Sequence, residues 1–357
     1  MNNKIQNETL FWKKKEFISF VLSILVLFIH SYFAPNIVNE SFVSLFNHKF
    51  SFFFSRSITQ YAVPMFFMLS GASFFKGYNN KKYPKKIKSR IYTLVIPYLL
   101  WNTVWMLWEI FGSYSFISKF SEANTPYPLT LESILKGIFF YKCNAPFWFV
   151  FDIIIFSFAA PLLFLIVKNK YVAITSVACL SILSLFGIHL PINLFYYPTS
   201  IVFYLIGAII GYHFFCYATQ KSSKPTQLIS LVLFSSYIFA KNIFPQKLHI
   251  SNYLIEIIVY TIAAFSLWNI LDIFIERIKP RAIFHRSFAI YAMHLNVSIA
   301  LLKILSFCLP NHEWLEIPKF IIMAVLTIVI INSACALSGK FFPRVYALFS
   351  GNRLKKK

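Results

Sequence analysis

Charge is what this sequence has least of. Only 13% of its 357 residues are Asp, Glu, Lys or Arg, about half of the roughly 25% usual in a soluble domain. Acidic residues are scarcer still, 12 against 34 basic ones. Such a chain cannot clothe a water-soluble surface, and it leaves no room for an appended soluble domain. Cysteine is sparse too. Cys143, Cys179, Cys216, Cys308 and Cys335 are odd in number, scattered and without C-x-x-C spacing, which speaks against a metal site and against a disulfide framework. There is no internal repeat. No A-x-A site follows the first apolar run, which is longer than a signal h-region, so that run is read as retained.

What the chain has instead is hydrocarbon. It is 58% hydrophobic and 20% aromatic, and its charges cluster between apolar runs of about 20 residues, the length that crosses about 30 Å of bilayer. The sequence predicts an all-α, polytopic transmembrane helix bundle of about ten spans, near 17–35, 58–75, 91–111, 147–167, 171–190, 199–217, 226–244, 252–271, 287–307 and 318–338. An even number puts both termini on one side. With the N-terminus cytosolic, 25 of the 34 Lys and Arg fall in inner segments and 9 in outer ones, which predicts N-in and C-in. The net charge of +22 therefore reads as topology and contact with the lipid bilayer, with no nucleic-acid partner. Residues 1–357 form one membrane domain on this reading, and Gly207 and Gly211 in G-A-I-I-G let another helix approach closely.

Titratable groups inside such spans are the first candidates for chemistry, because they are expensive to keep there. His30 lies in FISFVLSILVLFIHSYFA, thirteen residues into an outward-running helix, about 20 Å from the inner face. His294 lies in SFAIYAMHLNV, about 12 Å deep. An imidazole titrating near neutrality can take a proton from a sugar hydroxyl and return it to a leaving thiolate. A histidine hydrogen-bonded to a neighbouring helix for packing is the plainer alternative. His189, His213, His249, His285 and His312 fall at span ends and read as interfacial.

Around these lie further candidates. Pro64 in QYAVPMFFMLSGASFF can bend the second span, and Ser70-Gly71 opens a small-residue face near its end. Lys81, Lys82, Lys85, Lys86, Lys88 and Arg90 form a dense basic cluster before the third span. It serves topology and anionic headgroups, or docks a phosphorylated donor, with Arg90 suited to phosphate geometry. Asn102 and Glu109 are seven residues apart on one helical face, beside Trp101, Trp105 and Trp108. Glu109 could orient a histidine, and Asn102, Trp105 and Trp148 could meet an acceptor sugar. An aromatic belt at the interface is the alternative for the tryptophans. Asp152 and Glu256 read as wet residues near span ends. The segment LESILKGIFF, in the long outer segment after Pro126 and Pro128, reads as a short interfacial amphipathic helix.

Several of these pieces occur in a familiar order: LSILVLFIHSY, VPMFFMLSGASFF, the R-I-x-x-x-x-x-P-Y stretch from Arg90 to Tyr98, PFWFV from Pro146 to Val150, FYLIGAIIGY and FAIYAMHLNV. In this order the chain resembles integral-membrane acyltransferase family 3, which acylates surface polysaccharides and lipids. The resemblance implies cytosolic acyl-CoA as co-substrate, with no permanently bound cofactor and no metal, and a surface or exported polysaccharide as acceptor. It implies a multi-pass protein of a bacterial-type plasma (inner) membrane. The family's first-span histidine corresponds to His30, and its basic residue ahead of the third span to Arg90. Where many relatives carry an arginine eleven positions before that histidine, this chain has Ser19.

The expected activity is O-acylation, acetylation in the first instance. His30 would be the general base or a transient acyl carrier, assisted by His294 or Glu109. Arg90, Lys88, Lys86 and Ser70 would hold the donor, and Asn102, Trp105 and Trp148 the acceptor. A transporter or flippase of glycans or lipid-linked glycans is the rival class, and would call for inverted repeats or paired broken helices.

Overall fold

The computed structural model describes residues 2–31, 41–113, 127–186, 199–243, 253–310 and 312–351, and every regular element among them is helical. In chain order the helices are α1 (Asn2–Ile29), α2 (Phe42–Phe52), α3 (Ala62–Phe75), α4 (Tyr83–Arg90), α5 (Ile96–Ser113), α6 (Leu131–Phe139), α7 (Trp148–Phe158), α8 (Ala160–Val167), α9 (Lys170–Leu183), α10 (Ser200–His213), α11 (Phe215–Thr219), α12 (Lys224–Ile243), α13 (Tyr253–Ile270), α14 (Ser287–Cys308), α15 (Glu316–Phe341) and α16 (Pro343–Ser350). Wider π-helical turns at Phe53–Ser57 and Ile91–Val95 follow α2 and precede α5. All five cysteines are free thiols.

By length and composition, five helices among the described residues can cross a membrane: Phe42–Phe75, Asn80–Ser113, Tyr253–Ile273, Ala282–Cys308 and Glu313–Phe341. A sixth is added if Ala145–Phe158 and Ala160–Val167 count as one span, which bends by 71° at its break. Pro161 sits in the first turn of α8, where the missing N–H and the ring disfavour a continuous helix. The apolar helices α9 and α10 have 14 residues each, about 21 Å at 1.5 Å per residue, less than the hydrocarbon thickness. Pro64, expected to bend a span, instead lies in the first turn of α3, where proline is tolerated.

The chain divides into two compact units. The first comprises Met1–Leu22, Gln60–Lys88 and Asp152–Phe284. Its central crossing is α3 on α10, and glycine makes the closeness possible. A Cβ on Gly207 would strike the Met68 carbonyl, one on Gly211 the Ala72 carbonyl, and one on Gly71 the Tyr204 carbonyl. The face anticipated at Gly207 and Gly211 is therefore a backbone-to-backbone contact. Lys14 is wholly buried here and paired with buried Asp272 at 3.0 Å, which also accepts from the Ser222 hydroxyl at 2.9 Å. Asp152, expected to be wet, is 1% exposed and lies against Ser200. His213 donates from Nε2 to the Val167 carbonyl at 2.7 Å, a structural role. His189 and His249 lie outside the described residues.

The second unit comprises Ser23–Thr59, Ser89–Phe151 and His285–Lys357. Here the C-terminal half of α1 meets α14, where the Ser23 hydroxyl donates to the Ser287 carbonyl at 3.0 Å. Phe28 stacks on Phe320 of α15. The helix α6 is amphipathic, as its sequence predicts. Thr130 caps its start by accepting from the Ser133 N–H, and Leu131, Leu135 and Phe139 form an exposed apolar stripe.

Candidate functional site

Within the second unit the fold brings together two residues 264 positions apart. The rings of His30 and His294 lie 5.3 Å apart, centroid to centroid, tilted by 46°. His30 follows the last residue of α1 directly, its N–H still bonded to the Val26 carbonyl at 3.3 Å. It therefore stands at a helix end, where the sequence had placed it inside a span running to residue 35. His30 is exposed, whereas His294, in α14, has no exposed surface at all.

The surroundings of His294 set its chemistry. Its Nδ1 lies 2.7 Å from the Tyr291 carbonyl oxygen. A carbonyl can only accept, so Nδ1 carries the proton, and in the neutral ring Nε2 keeps the lone pair. That nitrogen is buried and meets no hydrogen-bonding atom among the described residues. Tyr291 is itself held: its hydroxyl donates to the Pro146 carbonyl, and its ring stacks on Phe147 at 5.9 Å and 4°. Trp105 donates its indole N–H to the Ala292 carbonyl at 2.9 Å, and the Asn144 amide reaches the same oxygen at 3.5 Å. The turn of α14 that carries His294 is thus clamped from α5 and from the PFWFV segment. On the other side, the Arg56 guanidinium in the first π-helical turn acts electrostatically on His30. What results is an exposed imidazole backed by a dry, oriented one, with a cation near by.

The remaining candidates fall into two groups. Asn102, Trp105, Glu109, Arg90 and Trp148 belong to the second unit. Asn102 is fully buried, and its amide donates to the Ile138 carbonyl of α6 at 3.2 Å. Trp105 is spent on Ala292. Glu109 is half-buried and acts on Tyr127 and Cys143. Trp148 is half-buried, edge-on to Phe149, and Arg90 is half-buried at the end of α4.

Ser70, Lys86 and Lys88 belong to the first unit. Lys86 donates to the carbonyls of Phe74 and Lys76 at 2.6 and 3.0 Å, which caps the C-terminus of α3. Lys88 is exposed and Ser70 half-buried. The lysines near Ser19 are engaged: Lys14 with Asp272, Lys15 with the Ser73 hydroxyl at 2.6 Å and Lys13 with the Glu276 carbonyl at 3.4 Å.

Tyr291, Phe147, Asn144 and Arg56 were missed from the sequence. Tyr291 had a signal, since three residues before His294 is the same helix face. The other three are brought in by tertiary contact alone.

Residues 17–332 match the model of the acyltransferase domain family, acyltransferase family 3. The chain belongs to that family. The match takes in both His30 and His294 and every helix of the second unit except α16 and the end of α15, and with the apolar helices described above it makes the protein a multi-pass membrane acyltransferase. No curated protein and no solved structure matches the chain.

Proposed function

We propose that this family 3 member is an O-acyltransferase that moves an acyl group, acetyl in the first instance, from cytosolic acyl-CoA to a hydroxyl of a cell-surface or exported polysaccharide. The observation that carries the reading is the histidine pair, one ring exposed and the other buried with its tautomer fixed. As the acceptor oxygen attacks the thioester carbonyl, His30 takes the hydroxyl proton. The carbon–sulfur bond breaks and the proton passes to the leaving thiolate, giving the O-acyl ester and free coenzyme A. Acyl-imidazole formation on His30 followed by transfer to the same hydroxyl gives the same balance. His294, fixed by Tyr291, orients His30 and disperses its positive charge in either route.

Arg90, Lys88 and Ser70 serve the donor, with Arg90 forking onto phosphate. Lys86 belongs to this group by sequence, although its ammonium is occupied at the end of α3. Glu109 and Trp148 serve the acceptor side, with Asn102 and Trp105 supporting it through their bonds to α6 and α14. One domain of about ten spans with both termini cytosolic, in a bacterial-type inner membrane, accords with the 25 to 9 division of basic residues.

The test uses inside-out vesicles containing the protein, supplied with acetyl-CoA labelled in its acetyl group on the exposed cytosolic face. Label should reach lumenal glycan with wild type and fail to with His30→Ala. Transfer at the wild-type rate by folded His30→Ala would overturn the mechanism. Absence of transfer by wild type from acetyl-, succinyl- and longer acyl-CoA would overturn the donor assignment.

A further inference from the structure

The helix α16 borders a cavity in the second unit. Gly351 ends α16 with φ of 67°, and a Cβ there would lie 2.5 Å from the Thr93 carbonyl oxygen, so the backbone at this end can only come so close as glycine. The Trp101 indole N–H donates to the Phe349 carbonyl at 3.0 Å. These two contacts fold α16 onto the segment that leads into α5. Between α5, α14, α15 and α16 they leave a cavity of about 320 Å³, within the size range of small-molecule sites. Its walls are apolar, with Trp101, Ala289, Met293, Ala334 and Phe349 among them.

Its rim is polar. Cys335 and Tyr346 line it, and the Arg286 guanidinium acts electrostatically on both. Arg286 also donates to the Asn332 backbone carbonyl at 3.0 Å and to its side-chain oxygen. No carboxylate pairs with Arg286 among the described residues, so a half-buried guanidinium with five donors is left without a counter-ion. Lys340, near the end of α15, and Arg344, in α16, add exposed positive charge. Phe342 and Val345, which also line the cavity, are exposed at its open side.

We propose that this cavity holds one acyl chain of an anionic phospholipid, whose phosphate is bound by Arg286 and Tyr346. Charge complementarity selects the head and the apolar walls select the chain. The basic residues around α16 are of the kind that recruits anionic lipid from a cytoplasmic leaflet. Bound there, the lipid braces α16 against α5. The site contains none of the residues assigned to acyl transfer and stands apart from that reading.

The test uses the full-length protein in detergent, with native mass spectrometry and thermal unfolding as readouts. Dioleoyl-phosphatidylglycerol should remain bound and raise Tm, and dioleoyl-phosphatidylcholine should do neither. Arg286→Gln should weaken phosphatidylglycerol binding by at least about tenfold, the loss expected for a charge-assisted hydrogen bond. Arg286→Lys should fall between, because it keeps charge and loses the fork. Ala334→Phe, which fills the cavity, should expel the lipid while leaving Arg286 in place. Equal retention of both lipids, or phosphatidylglycerol binding unchanged in folded Arg286→Gln, would overturn the proposal. So would displacement by inorganic phosphate at equal concentration, which would make the site one for a bare anion. Displacement by acetyl-CoA would assign the cavity to the acyl donor and would equally overturn it.

Discussion

The two ends of α1 treat polarity in opposite ways. Near its N-terminus, Lys14 is completely buried and faces an opposite charge. Asp272 lies 3.0 Å away, and the Trp268 ring is 4.3 Å beneath the ammonium. Immediately past its C-terminus, His30 is exposed and its ring neighbour is another imidazole, with the Arg56 guanidinium acting on it electrostatically. A buried charge that is matched within the fold is structural, because all of its interaction energy is used at rest. Imidazoles set beside each other with no carboxylate paired to them among the described residues, one with a buried nitrogen that meets no hydrogen-bonding atom there, hold interaction capacity in reserve. The lesson is that burial alone does not mark the site; the two ends differ in whether an opposite charge is paired with the titratable group.

Removing His30 gives the largest expected effect. His30→Ala should lower acyl transfer by about 10²- to 10⁴-fold, the usual contribution of a positioned acid–base group, with thermal stability near that of wild type. The opposite pattern belongs to the other end of α1. Asp272→Leu strands a buried ammonium and removes the acceptor of Ser222, and should destabilise the protein by about 3–5 kcal/mol, read as a fall in Tm in detergent. Lys14→Met added to Asp272→Leu should recover most of that loss, since an apolar pair of similar volume replaces the ions. If the double variant stayed as unstable as the single one, or if transfer per folded molecule collapsed in it, the distinction between the two ends would not hold.

Much of this was legible in the residues. Long apolar runs with little charge declare a helical membrane protein, and a histidine amid such a run declares itself by its cost. Pairing was not legible, because nothing local relates His30 to His294; the contact depends on how α1 and α14 cross. The basic cluster shows the same limit. Lys86 and Lys88 look alike as residue types, but only Lys86 reaches the open carbonyls at the end of α3. Trp105 offers an aromatic face to a reader of sequence, whereas in the fold its N–H is committed to Ala292. Two prolines with similar surroundings diverge as well: Pro161 accompanies a 71° break and Pro64 merely opens a helix. In each case the deciding partner is distant in sequence or is a backbone group, which composition and period do not register.

His294 should matter less than His30, because it acts through its neighbour. His294→Gln can keep a donor toward the Tyr291 carbonyl but loses the basic nitrogen. Transfer should fall by about ten- to a hundredfold, the worth of one hydrogen bond to a charged group. The fall should appear in kcat with KM for the acyl donor unchanged. A KM effect alone would make His294 part of donor binding and remove it from the pair.

Tyr291→Phe should have the smallest effect and discriminates most finely. The ring remains to stack on Phe147 and to meet Phe149 edge to face, so packing is retained, while the Pro146 carbonyl loses its donor. A buried acceptor left without a partner costs about 1–3 kcal/mol, and Tm should fall accordingly. The backbone carbonyl that fixes His294 is untouched by the substitution, so the tautomer persists and transfer by the folded fraction should drop only a few-fold. A loss of transfer as large as that of His294→Gln would mean that the hydroxyl to Pro146 is what holds this turn of α14 in register with His30, and the clamp would then belong to the site as much as the histidines do.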